Sequence, residues 1–271
     1  QVKSAVLLAG LGASAPVAVT EPAASRDHTE RLLAGLGADI MRDGLTVTLM
    51  PGDGRLQARD LDLPGDISTA AFFLVAGSAV PQAAITLLRV GVNPTRAGVL
   101  EVLRRMGARV TASNRRDMAG EPVADLAVES SASRGTVVAG DIIPQLIDEL
   151  PVLAVLATQA HGTTVVHDAT ELRYKESDRI TSTVRELQKL GADIQERDDG
   201  FEVHGPSRLV GATVSADGDH RLAMALAVAG LLAGGTTAIE GAEAASVSHP
   251  AFWDDLARLG GEGTVRGEVH A

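Results

Sequence analysis

The sequence contains no cysteine, which excludes disulfides, thiolate metal sites and a cysteine nucleophile. The same absence fits a reducing cytoplasm, where we expect the protein to reside. Aromatic residues make up only 2% of the chain while hydrophobic residues make up 45%, so the core is expected to be built from Ala, Val, Leu and Ile. Small, branched side chains of this kind suit many closely packed helices and strands. Positive charge is scarce as well: 24 Lys and Arg face 35 Asp and Glu, a formal net charge of −11. Without a broad basic footprint to displace counterions from phosphates, the chain is not expected to bind nucleic acid. Any anionic ligand must be held by a local cluster of cations. No apolar run reaches the ~20 residues a bilayer span requires, so no membrane partner is expected.

There is also no initiator methionine, and a chain that opens at Gln1 inside an apolar helix reads as an N-terminally truncated fragment. Lys3, the apolar run 5–11 and Ala13-Ser14-Ala15 imitate a secretory leader, while Gly10-Leu11-Gly12-Ala13-Ser14-Ala15 imitates a dinucleotide fingerprint. The fingerprint requires glycines that follow a strand and open a helix; here they follow an apolar helix. Both readings are rejected. A length of 271 residues suits one large or two medium domains.

What the chain does have is a dense charged stretch. Glu171-Leu172-Arg173-Tyr174-Lys175-Glu176-Ser177-Asp178-Arg179 holds three cations and three carboxylates in nine residues. It stands at the mouth of an amphipathic helix in which Ile180, Val184, Leu187 and Leu190 line one face. If that mouth is helical, Lys175 and Arg179, four apart, project from one face with Glu176 beside them. A solvated helix start would look the same locally; the surrounding repeat argues for more.

Four helices end in one signature: Leu36-Gly37-Ala38-Asp39-Ile40, Met106-Gly107-Ala108-Arg109-Val110, Leu190-Gly191-Ala192-Asp193-Ile194 and Leu259-Gly260-Gly261. The glycine supplies the left-handed residue that stops a helix, and the next β-branched residue begins a strand. Each is preceded by a wholly apolar helix, over 4–11, 68–80, 150–160 and 222–232, and by a β-branched strand, over 17–20, 85–90, 163–166 and 236–239. Further strands fall at 46–49 and 201–204. The period, about 70 to 85 residues, fits one α/β supersecondary unit. Helices that are apolar all round are buried, so they are expected to stack inside a globule with sheets outside. The domain boundary falls near 57–63, giving 1–62 as one piece and 63–271 as three units, about 63–140, 141–215 and 216–271.

Polar residues stand out against this aliphatic repeat. Gln1, Asp66, Asp148 and Asp219 lie at or just before the starts of the buried helices, where an N-cap contributes about 1 kcal/mol. Capping suffices for Asp66; for Asp148 and Asp219 capping and chemistry are compatible. An arginine such as Arg221 at a helix start opposes the dipole and so points to another purpose. Asn93-Pro94-Thr95-Arg96 suits helix capping, and His28 suits capping or packing better than ligation. His161, His167, His204 and His249 are scattered, and no spacing suggests a metal site. Together the loops offer two carboxylates, Asp148 and Glu176, and the cations Arg26, Lys175, Arg179 and Arg221, a set suited to acid–base chemistry on a phosphate- or carboxylate-bearing substrate.

Gln1-Val2-Lys3-Ser4, Glu21-Pro22 with Ser25-Arg26-Asp27-His28-Thr29-Glu30, Pro64-Gly65-Asp66-Ile67-Ser68, Leu172-Arg173-Tyr174-Lys175-Glu176-Ser177-Asp178-Arg179 and Gly218-Asp219-His220-Arg221 occur in order. In this the chain resembles the 5-enolpyruvylshikimate-3-phosphate synthases (3-phosphoshikimate 1-carboxyvinyltransferases), over essentially its whole length. The resemblance implies an α/β (α+β) enolpyruvyl transferase fold: repeated units with parallel buried helices and outer mixed sheets, in two domains of which the first is incomplete here. It implies a transferase of the shikimate pathway (chorismate and aromatic amino acid biosynthesis), a cytoplasmic monomer without cofactor or metal. Its substrates are phosphoenolpyruvate and shikimate 3-phosphate. By the same resemblance Asp148 takes the hydroxyl proton, and Glu176 with Lys175 handles the proton at the methylene carbon. Arg179, Arg221 and Gln1 hold phosphoenolpyruvate; Gln1, Ser25, Arg26, Asp148 and Lys175 hold shikimate 3-phosphate. Some family members carry Lys at the position of Val247 and Asn at that of Glu171, so this sequence resembles another branch. Competing readings are the relative that acts on UDP-N-acetylglucosamine and a catalytically inert fragment. The Lys-Glu-Ser-Asp-Arg and Gly-Asp-His-Arg motifs favour shikimate 3-phosphate over the sugar nucleotide. An N-terminal piece lacking its partner helices is expected to be less well ordered than the rest.

Overall fold

The computed structural model describes residues 1–261 and 263–266. The end of the expected last unit, 262 and 267–271, lies outside the described residues. The repeat is realised four times. The first copy runs α1 (Val2–Gly10), β1 (Val17–Thr20), α2 (His28–Gly35), β2 (Ile40–Asp43) and β3 (Thr46–Leu49). The second runs α3 (Ile67–Ala79), β4 (Ala84–Gly91), α4 (Gly98–Arg105), β5 (Arg109–Met118) and β6 (Glu121–Glu129). In the third, β7 (Val137–Val138) precedes α5 (Leu150–Thr158), β8 (Gly162–Val166), α6 (Arg179–Lys189), β9 (Asp193–Arg197) and β10 (Gly200–Gly205). The fourth comprises β11 (Thr213–Ser215), α7 (His220–Leu232), β12 (Ala238–Glu240) and α8 (Phe252–Gly260).

Equivalent strands take equivalent places. The sheet orders are β1-β3-β2, β4-β6-β5 and β7-β8-β10-β9, with antiparallel pairing except for β7 on β8. A parallel contact enters each later unit at the same place: Gly65 bridges Val90, β7 pairs with β8, and β11 pairs with β12. The glycine stops explain why the helices end where they do. Gly37, Gly107 and Gly191 have φ of +92°, +86° and +88°. The amide after each returns to the helix, Ala38 to Leu33 at 2.9 Å, Ala108 to Leu103 at 2.9 Å and Ala192 to Leu187 at 3.0 Å. In the fourth copy the positive φ falls on Gly261, at +82°, and Gly260 still belongs to α8.

The apolar helices α3, α5 and α7 pack on one another, and β6 and β10 back them from outside. Every residue of α5 is buried, and α3 leaves only Thr69 and Ala79 outside the core. Two expectations are corrected. α1 is as apolar as the others, yet Val2, Val6 and Leu8 are exposed, because the helix packs against β1 and α2 rather than inside a helical stack. Nor is the core purely aliphatic: Phe252 of α8 meets Phe72 and Phe73 at centroid distances of 6.2 and 5.7 Å, with Trp253 at 5.1 Å. The few aromatics are concentrated where α8 seats on α3. Among the described residues no helix is long and apolar enough to cross a membrane.

Candidate active site

The charged stretch is built differently from its sequence reading. Residues 170–174 form a short 3-10 turn, Lys175 adopts extended backbone, and α6 begins only at Arg179. Asp178 sets that start: its Oδ1 accepts from the Thr181 amide at 3.1 Å, and its Oδ2 holds Arg173 at 2.9 Å. Lys175 and Arg179 therefore share no helical turn. They converge instead on one oxygen, Asp148 Oδ1, at 3.8 and 3.1 Å. Tyr174, beside them, is 81% exposed at the lip.

Asp148 sits in a 3-10 turn (Ile147–Glu149) one residue ahead of the N-cap of α5, so its carboxylate does not cap. It is the centre of the cluster. Besides Lys175 and Arg179 it meets Arg26 Nη2 at 3.0 Å and Arg221 Nη2 at 3.8 Å. Burial by itself would raise its pKa. Arg221, the Arg26 hydrogen bond and Lys175 outweigh that and hold the carboxyl far below the usual range.

Asp219 does both jobs the sequence allowed. Oδ1 caps α7 by accepting from the amides of Arg221 (2.9 Å) and Leu222 (3.4 Å), and Oδ2 accepts from Arg179 Nε (2.7 Å) and Ser177 Oγ (3.1 Å). Arg179 is 1% exposed and also holds Glu176 Oε2 at 2.6 Å, so a buried guanidinium joins three carboxylates. Removing one partner of such a buried pair costs about 3–5 kcal/mol. Burial, and then Arg221, push the pKa of the neighbouring His220 down.

Arg221 marks where the buried helices meet. It influences Asp66 at the start of α3 and stands 3.8 Å from both Asp148 and Glu149 at the start of α5. The N-termini of α3, α5 and α7 thus face one cationic cluster, where backbone N–H groups add to the attraction for anions. Glu149 is 1% exposed, and burial pushes its carboxyl up against the pull of Ser68 and Arg221.

On the other side, Lys3 is buried between Glu21 (2.8 Å) and Glu30 (2.6 Å), and Ser4 bonds Thr29 at 2.6 Å, fixing α1 to the start of α2. Ser25 donates to Glu21 in the same group. Among the described residues no hydrogen bond joins Gln1 or Ser25 to the Asp148 cluster; Gln1 is exposed at the start of α1 and makes no capping bond. The structure therefore gathers Arg26, Asp148, Lys175, Glu176, Arg179 and Arg221 and leaves Gln1 and Ser25 outside those contacts. Val247 is 76% exposed, and Glu171 pairs with Lys175 at 2.6 Å.

Other readings change. Asn93-Pro94-Thr95-Arg96 does not cap α4, whose N-cap is Ala97 without a side-chain bond. His28 is neither cap nor core: it is partly exposed, with Nδ1 2.8 Å from Glu121 Oε1. The histidines are not all isolated, since His167, Asp168 and Asp199 bring ligand atoms within 4.8 Å of one another. Those atoms already satisfy each other and local amides, with Asp168 accepting from Gly140 at 3.0 Å and Asp199 from the Asp168 amide at 2.7 Å. Sequence reasoning gave no role to Glu149, Lys3 or Glu121; for Glu149 the signal was a second carboxylate entering a wholly apolar helix.

A family model described as EPSP synthase (3-phosphoshikimate 1-carboxyvinyltransferase) matches residues 1–256. The chain belongs to the EPSP synthase family. Relatives named 3-phosphoshikimate 1-carboxyvinyltransferase from Gloeobacter violaceus and Bacillus cereus are 55% and 53% identical over 259 residues, 96% of this chain. The chain spans 60% of the length of these curated relatives. An EPSP synthase structure from Acinetobacter baumannii aligns with a TM-score of 0.90 at 40% identity, covering 95% of this chain and 60% of that one. The enolpyruvyl transferase NikO from Streptomyces tendae aligns at 0.76 with 22% identity, over 93% of this chain and 57% of its own, a likeness of fold alone. The α/β enolpyruvyl transferase fold expected from the five EPSP synthase motifs is the fold observed.

Proposed function

We propose that this protein transfers the enolpyruvyl group of phosphoenolpyruvate to the 5-hydroxyl of shikimate 3-phosphate and releases phosphate. The observation that carries the reading is the gathering of four cations from three separate stretches on one carboxylate, Asp148, in a member of the EPSP synthase family. Both substrates are polyanions. Arg179 and Arg221 receive the phosphate and carboxylate of phosphoenolpyruvate, with Gln1 close by. Gln1, Ser25, Arg26 and Lys175 receive shikimate 3-phosphate.

The electrostatics give Asp148 its role. Without substrate the cations hold it ionised and weakly basic. When substrate anions take over those cations, the field on Asp148 falls and its proton affinity rises, so it accepts the hydroxyl proton. The freed oxygen bonds to the central carbon of phosphoenolpyruvate while Glu176, with Lys175, protonates the methylene carbon to a methyl group. Glu176 then removes a methyl proton, the carbon–oxygen bond to phosphate breaks, and phosphate leaves as the double bond re-forms. Each positioned acid or base contributes about 10²–10⁴-fold, and alignment of two substrates can contribute more.

The test is phosphate release from the two substrates, measured on this chain and on a version extended to the relatives' length. Turnover is expected from the extended version and to fall at least about 100-fold in Asp148→Ala and Glu176→Gln. An extended chain that binds both substrates without releasing phosphate refutes these roles. Transfer to UDP-N-acetylglucosamine but not to shikimate 3-phosphate replaces the acceptor.

A further inference from the structure

We propose that Asn93 is a positioning residue for Arg26, acting as a clasp that fixes the start of α2 against the second unit. The proposal rests on the function above only in what Arg26 binds. Asn93 is 2% exposed in the loop between β4 and α4. Its amide nitrogen donates to Asp27 Oδ1 at 2.7 Å and to Glu121 Oε2 at 2.9 Å. Its oxygen accepts from the amide and the hydroxyl of Thr95, at 2.9 and 2.8 Å. Two carboxylates that would otherwise repel are thus bridged by one neutral group whose other end holds its own loop. Serine, threonine or alanine in that place lacks the two donors such a bridge requires.

Asp27 is the residue after Arg26, and the clasp has flanking supports on both sides. Arg31 holds Asp27 Oδ1 at 2.9 Å and donates to the Gly120 carbonyl at 3.1 Å, while His28 meets Glu121 at 2.8 Å. At the loop's far end Arg96 binds Asp66 Oδ1 at 2.8 Å and Ser68 Oγ at 3.0 Å, tying the loop to the N-terminus of α3. The backbone that launches Arg26 is therefore referenced to a buried helix of the next unit. Arg26 itself is partly exposed and reaches Asp148, 122 positions away, through a long side chain. Anchoring the adjacent residue restricts the conformations such a side chain would otherwise sample.

The experiment uses the 271-residue chain with Asn93→Ala, with Asp27→Ala, which removes the acceptor, and with both together. Amide hydrogen exchange is followed at residues 26–31 and in α5, and calorimetry measures shikimate 3-phosphate and phosphoenolpyruvate binding. Each single variant is expected to speed exchange at 26–31 about tenfold and weaken shikimate 3-phosphate about tenfold. Exchange in α5 and phosphoenolpyruvate affinity stay unchanged, and the double variant is no worse than the Asp27 variant alone, which also loses the Arg31 contact. Unchanged exchange at 26–31 overturns the proposal. So does equal weakening of both ligands with faster exchange in α5, the mark of general destabilisation. If the unaltered chain binds neither ligand, the exchange data alone decide the clasp, and phosphate release from the extended version still decides the functional reading.

Discussion

Glu149 and Arg179 show opposite fates for a charge taken out of water. Arg179 is surrounded by Asp148, Asp219 and Glu176, and its charge is matched. Glu149 is as deeply buried, its Oε1 makes no hydrogen bond, and its nearest cation is 3.8 Å away. Its folded pKa is raised, so above the unfolded value of about 4.3 the native state holds the proton more tightly than the unfolded state. Its contribution to stability therefore falls as pH rises from there to the folded value. Glu149→Gln removes that loss. Unfolding by urea is expected to show the variant gaining stability relative to the parent at pH 7 compared with pH 4. A variant that loses more at pH 7 would mean that an ionised Glu149 supports Arg221. At this scale the sequence shows which residues are unusual and hides whom they meet. Asp148 and Arg26 were both legible, but their contact crosses 122 positions and leaves no local period.

Elements were more legible, because a repeat prints its own punctuation. The strands at 17–20 and 46–49 fall as expected, and the glycine stops mark the helix ends through backbone geometry that does not depend on the tertiary fold. Whether the backbone at Lys175 is helical was not legible in the same way, because Asp178 caps α6 later than the charge spacing suggests. The parallel contacts entering the units were also hidden, being single bridges or strands of two and three residues. They carry a prediction. A Cβ on Gly135 would lie 2.1 Å from the Thr163 carbonyl oxygen, and one on Gly211 2.2 Å from that of Thr236. Thr163 lies in β8 and Thr236 two residues before β12, so neither backbone oxygen can move without disturbing the pairing beside it. Gly135→Ala and Gly211→Ala are each expected to cost about 1–3 kcal/mol or more in chemical denaturation. Gly65→Ala, at the corresponding entry with its nearest contact at 3.5 Å, is expected to be near neutral. Equal effects at all three would show that the close approaches do not limit packing.

The whole molecule is acidic, yet its ordering charges are carboxylates held against cations. Burial would raise the pKa values of Asp148, Asp219, Asp66 and Asp27, but arginine partners prevail and lower all four. A depressed carboxylate contributes its full stability above the unfolded value of about 3.9 and loses it as pH falls through the folded one. Thermal unfolding is accordingly expected to lose little between neutrality and about pH 5 and to drop steeply below about pH 4. A midpoint still unchanged near pH 3 would mean these pairs contribute little. At this scale the motifs in Glu21–Glu30, around Asp66, along Glu171–Arg179 and around Asp219 gave the family; which residues of α1 stay bare was not legible, because an apolar helix looks the same in sequence whether or not something covers it. The scarcity of aromatics has an optical consequence. The chain has one tyrosine and one tryptophan. Tyr174 stands at the lip of the charged cluster and Trp253 where α8 seats on the core. The two ultraviolet emitters thus lie in separate places: a ligand reaching the charged cluster is expected to change Tyr174 emission, and loosening of the fold is expected to change that of Trp253.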